Sequence, residues 1–149
     1  MEKKVDAMTL NEKLKAIRGR LSLVKDAVNP HFGNEYVSLN GVLAELNPLL
    51  DEYNLHMSQA PGVFESNLVI VTEIVNLDDE TEYTSWRWPV PLHENPQKMA
   101  SGSSYARRYS LLCGFATAAE DDDAEHSLGR GAGKHTPKGI QAALKRVGR

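Results

Sequence analysis

The stretch LVIVTEIVNLDDETEYTSWRWPV, residues 68–90, decides the fold. Its first half, Leu68 to Leu77, concentrates β-branched Val69, Ile70, Val71, Ile74 and Val75, the composition of a strand. Asp78 to Thr81 has turn composition, and Glu82 to Val90 returns as an antiparallel strand. Side chains alternate along a strand, so Trp86 and Trp88 share one face while Tyr83 and Arg87 share the other. Upstream, Leu55 to Ser58 reads as a short run followed by a Pro61–Gly62 break. The fold class expected is α+β: a small antiparallel β-meander packed on helices, with an N-terminal helix and a basic C-terminal tail.

Three helices flank these strands in the sequence pattern. Thr9 followed by Glu12 fits a capping box, and Leu10, Leu14, Ile17, Leu21, Val24 and Val28 recur at helical spacing, predicting a helix over 10–28. Its opposite face carries Lys13, Lys15, Arg18, Arg20 and Lys25, either a phosphate path or a solvated surface. Asn29–Pro30 ends it, because the residue before a proline avoids helical geometry. Ser38 caps a second helix bearing Leu39, Val42, Leu43, Leu46, Leu49, Leu50 and Tyr53, which Pro48 bends or restarts. Asn95–Pro96 opens a third helix that runs to about Phe115.

With 149 residues, 41% hydrophobic and 25% charged, the chain has room for one packed domain with tails and not for a second large catalytic domain. We divide it into an N-terminal helix and loop (1–34), a core domain (35–118), an acidic then Gly-rich linker (119–136) and a short basic helix (137–149). The longest apolar run, Leu68 to Val71, is far short of the roughly 20 residues a bilayer requires, and the start MEKKVDAMTL lacks an export signal. A cytoplasmic protein with no membrane partner is therefore expected. The single cysteine, Cys113, excludes an internal disulfide and a cysteine zinc cluster. The net charge of −3 conceals segregation: residues 1–34 carry +3, residues 35–125 carry −12 and residues 126–149 carry +6. Basic ends around an acidic middle fit contact with a polyanion, solubilisation of an acidic domain, or pairing between subunits, and composition does not choose.

The third helix, NPQKMASGSSYARRYSLLCGF over 95–115, carries the most chemistry. At about 100° per residue, Lys98, Ser101, Tyr105 and Arg108 fall in one arc, and Met99, Ala106, Tyr109 and Cys113 occupy the adjoining apolar one. Arg107 points about 100° away from Arg108, so the two serve one strand only if it threads between elements. Cations beside an aromatic ring suit unpaired nucleic acid: the charges meet phosphates and the ring stacks on any base. The other reading makes Tyr105 and Tyr109 core aromatics and pairs the arginines with the carboxylates of the middle zone. Trp86 and Trp88 face the same choice.

Residues 95–125 also resemble the ERF family of phage single-strand annealing proteins. The likeness rests on Pro96–Gln97, Ser101, Tyr105–Ala106–Arg107–Arg108–Tyr109, Leu111 and the acidic Asp121–Asp122–Asp123. Upstream, Tyr36–Val37–Ser38–Leu39, Leu49–Leu50 and Tyr53–Asn54–Leu55 are similar to the family's opening helix and its exit into the first strand. Ala100, Gly102 and Ser104 depart from the family's usual glycine, alanine and threonine; these are small-for-small exchanges. The resemblance implies a β-β-β-α core and ATP-independent annealing of complementary single-stranded DNA in phage recombination, without cofactor or enzymatic step. It also implies assembly into rings or related homo-oligomers. Site candidates are Lys98, Ser101, Tyr105, Arg107 and Arg108, with Arg87 from the strand. A phage exonuclease and the host's single-strand-binding protein are candidate partners, the latter through the basic tail.

Two other signals compete. Gly129 to Thr136, GRGAGKHT, mimics a phosphate loop but has three residues before its Gly–Lys pair instead of four, and His135 where Ser or Thr is needed. Asp121 to Asp123 would suit a Mg²⁺-dependent nuclease, yet successive residues point in different directions and no distant partner stands out. The histidines at 31, 56, 93, 126 and 135 show no paired spacing. A nuclease and a protein-interaction module without nucleic-acid role remain the alternatives.

Overall fold

The computed structural model describes residues 2–117, which lie within one compact unit spanning 1–119. The expected linker over 119–136, the basic helix over 137–149 and the Asp121–Asp123 cluster lie outside the described residues. Among the described residues the chain is α+β, with three α-helices, a two-stranded sheet and a three-stranded antiparallel sheet.

Helix α1 (Leu10–Arg20) begins at the capping box read from sequence: Thr9 Oγ1 accepts from Glu12 N, and Glu12 Oε2 accepts from Thr9 N at 2.8 Å. It stops eight residues before the expected end at 28. Leu21 and Leu23 pack toward the core while Ser22 and Val24 face out, with Val24 73% exposed. That alternation of two is met by extended chain, not by helix. The chain then forms strand β1 (Ala27–Val28), antiparallel to β2 (Glu35–Tyr36).

Asp26, just before β1, accepts from Ser38 N at 2.6 Å and Ser38 Oγ at 2.7 Å, and these bonds hold its carboxyl below the usual range. Ser38 Oγ in turn accepts from Gly41 N and caps α2 (Leu39–Glu52). A Cβ at Gly41 would collide with the Asp26 carboxylate and push it from its place on Ser38. α2 continues through Pro48 and buries Val42, Leu46 and Leu50 at four-residue intervals.

Strand β3 (Leu55–Phe64) runs through Pro61–Gly62 without a break, longer than the run to Ser58 expected from sequence. The order β3-β4-β5 puts β3 at an edge, where a residue that cannot donate on the open side is tolerated. Glu65 and Ser66, both left-handed (φ 46° and 63°), close a two-residue hairpin into β4 (Asn67–Asn76). β5 (Tyr83–Pro89) pairs with β4, Thr72 opposite Trp86 and Ile70 opposite Trp88. These four residues lie on one sheet face, as the alternation requires.

Helix α3 (Pro96–Gly114) starts where Asn95 Oδ1 accepts from Gln97 N and Lys98 N, and it covers that face. Gly102, Ala106, Ser110 and Gly114 recur every fourth residue and make the contact. Ala106 and Ser110 are fully buried, and a Cβ at Gly114 would overlap the Trp86 indole. The helix thus approaches closely enough for Ser110 Oγ to bond Thr72 Oγ1 at 2.8 Å. The adjoining apolar arc read from sequence is corrected here: Ala106 packs inward, but Cys113 is exposed.

Lys13 also departs from its expected place on the outward cationic face. It lies between Leu10 and Ile17 on the buried stripe of α1 and has no exposed surface. Its Nζ donates to Asn76 Oδ1 at 2.7 Å and to Asp78, just past β4. Glu82 accepts from Leu10 N and Asn76 Nδ2, and Asn54 Nδ2 donates to Asp78. These bonds lock α1 to the end of the sheet. Of the other α1 cations, Arg20 pairs with Glu52 and lies over the Tyr53 ring.

Candidate nucleic-acid interface

The outward side of α3 presents a row of rings. Tyr105, 53% exposed, sits 4.3 Å from Tyr109 between ring centroids, and Tyr109 is stacked on Trp88 of β5 at 6.1 Å and 17°. The row arises because positions 105 and 109 are one helical turn apart and the small-residue stripe brings Trp88 up to the helix.

Arg108 is buried among these rings at 8% exposure. Its guanidinium carbon lies 4.5 Å from the centre of Tyr109, 4.9 Å from Tyr36 and 5.8 Å from Tyr105, and its Nη1 donates to the Val37 carbonyl at 3.3 Å. A guanidinium is planar and weakly hydrated, so ring faces can replace part of its water. The arrangement fixes three tyrosines around one cation.

Lys98 and Ser101 lie exposed on the N-terminal half of α3. Arg107 is half-buried toward β3: its Nε donates to Gln59 Oε1 at 3.2 Å, and Gln59 Nε2 donates to the Arg107 carbonyl and to Thr72 Oγ1. Arg87 lies on the sheet face away from α3, its guanidinium 4.6 Å from the Phe64 ring centre. The fold therefore brings Tyr105 together with Arg108, sets Lys98 and Ser101 further along the same helix, aims Arg107 toward Gln59 and leaves Arg87 on the opposite face.

The two tryptophans divide. Trp86 Nε1 donates to the Ser110 carbonyl and hydroxyl, each at 2.9 Å, and its ring meets Phe115 edge-on, so it is core. Trp88 backs the tyrosine row. Sequence reasoning missed Gln59 as the brace of Arg107 and Tyr36 as part of the Arg108 cage. Both contacts cross more than 40 residues of chain, and no local pattern marks them.

Among the described residues, no group of three His, Cys, Asp or Glu side chains could hold a metal ion, and no helix is long and apolar enough to cross a membrane. The class these features define is an α+β meander module whose third helix carries aromatic and cationic side chains beside the sheet. The chain belongs to the ERF superfamily, whose family model matches residues 10–142. Comparisons with curated proteins and with solved structures gave no significant match.

Proposed function

We propose that this protein binds single-stranded DNA and anneals complementary strands without ATP, in recombination of the phage type, in the cytoplasm of a bacterial host. The observation that carries the reading is the exposed Tyr105 ring backed by Tyr109 and Trp88 around a buried guanidinium. A base stacked on such a ring contributes about 1–3 kcal/mol whatever its identity. Membership of the ERF superfamily supports the same reading.

Lys98 and Arg107 supply charge to phosphates, Ser101 adds a hydroxyl, and Arg108 holds the rings in place. Arg87, on the far face of its own sheet, reaches the same strand only from a neighbouring copy, which fits a ring or related homo-oligomer. Assembly would also gather cations from a subunit whose residues 35–125 carry −12. No bond is made or broken: pairing is already downhill by about 1.4 kcal/mol per stacked step, so the protein has only to relieve phosphate repulsion and present bases. A phage exonuclease and the host single-strand-binding protein are the partners we propose for the same process.

The test mixes the protein with complementary oligonucleotides, with and without ATP and Mg²⁺. Faster duplex formation in the absence of both is the expected result. Shortened strands would replace this reading with the nuclease, and the absence of binding or acceleration would leave a protein-interaction module.

A further inference from the structure

We propose that α1 provides a second nucleotide contact, at a cavity where it meets the C-terminal end of α3; the inference rests on the single-strand reading above. The cavity has a volume of about 330 Å³. That lies at the small end of ligand clefts, with room for about one nucleotide and not for a duplex. Leu14 and Phe115 give it apolar walls, while Asn11, Lys15 and Arg18 border it from one side of α1.

The cations of α1 fall into two groups. Lys13 is buried on Asn76 and Asp78, and Arg20 is paired with Glu52. Lys15 and Arg18 are exposed and make no ion pair with the described residues. Three residues apart on one helix, they are close enough to repel, and an anion between them relieves that repulsion. They are not needed to cap α3. Its last carbonyls already accept from Phe115 N, Ala116 N, Thr117 N and Thr117 Oγ1.

The chemistry of the pocket matches one nucleotide of a strand. Lys15 and Arg18 would take a phosphate, the Asn11 amide would meet polar edges of sugar or base, and the half-buried Leu14 would shield an apolar face.

The experiment compares the Lys15→Gln/Arg18→Gln double variant of the full chain with an Arg20→Gln/Lys25→Gln control that removes the same charge. Binding to a fluorescent oligo(dT) is followed as a function of salt. The cavity variant should lower the salt slope by about 1.4, two contacts at about 0.7 each, and the control by less than half as much. Equal flattening in both variants would mean diffuse attraction and overturn the site. An unchanged slope in the cavity variant, with wild-type binding intact, would overturn this inference and leave the single-strand reading standing. Wild-type protein that fails to bind oligo(dT) would overturn both.

Discussion

Lys13 and Arg108 are both cations on amphipathic helices, both are buried, and they are buried in opposite ways. Lys13 ends among oxygen atoms, on Asn76 and Asp78, at the seam between α1 and the sheet. Arg108 ends among ring faces, with the Val37 carbonyl at its edge. An ammonium is a compact, strongly hydrated charge and needs discrete acceptors to replace its water, whereas a guanidinium can exchange part of its hydration for π-electrons. The difference separates two roles. The oxygen-lined site joins elements, while the ring-lined site arranges side chains that reach solvent.

The sharpest way to break the comparison is to truncate Lys13. Lys13→Ala leaves Asp78 and Asn76 without their shared partner and opens a void, and should cost about 3 kcal/mol in urea denaturation. Lys13→Met, which restores the volume but not the charge, should recover only the part of that loss due to the void, and an alanine variant as stable as wild type would remove the latch. The next effect is on binding. Tyr105→Ala should weaken affinity for oligo(dT) by about 1–3 kcal/mol while leaving stability nearly unchanged, since the ring is half-exposed.

Arg108→Lys comes third. Lysine keeps the charge but not the planar contact with three rings, so we expect about 0.5–2 kcal/mol of lost stability and weaker DNA binding at an unaltered salt slope. Arg107→Ala should instead flatten that slope by about 0.7. If both arginine variants changed the slope alike, Arg108 would be a phosphate contact and the contrast with Lys13 would narrow. The smallest effect concerns acid. Bonds from Lys13 and Asn54 hold the Asp78 carboxyl below its ordinary range. Its contribution is therefore fully present above about pH 4 and fades as the pH falls through the depressed value. Asp78→Asn should make stability less sensitive to pH below about 4, as read from denaturation midpoints across that range.

The elements with local signatures were legible in the sequence. Thr9 with Glu12, Ser38, and Asn95 with Pro96 each announced a helix start, and the alternation of Trp86 and Trp88 against Tyr83 and Arg87 gave the sheet its faces. What failed lacked a local cause. Glu65–Ser66 is not a sequence that marks a tight hairpin, so the sequence pattern ends the run from Leu55 at Ser58, before the Pro61–Gly62 pair. Leu21 and Val24 kept helical spacing although the chain there is extended. Lys13 looked like part of a solvated face because its partners are more than 60 residues away. For the site, the ring-and-cation character of α3 could be read from its periodicity, whereas the cage around Arg108 depends on Tyr36 and Val37 arriving from before α2.

The buried ammonium of Lys13 has a consequence for the outside of the molecule. A helix anchored by one inward charge cannot roll about its axis without stranding that charge, so the azimuth of α1 is keyed like a shaft in a slot. Lys15 and Arg18, two and five residues further on, inherit that setting and stay trained on the end of α3. The spacing between surface charges and aromatic rings is thus gauged from within, by a residue that no ligand touches.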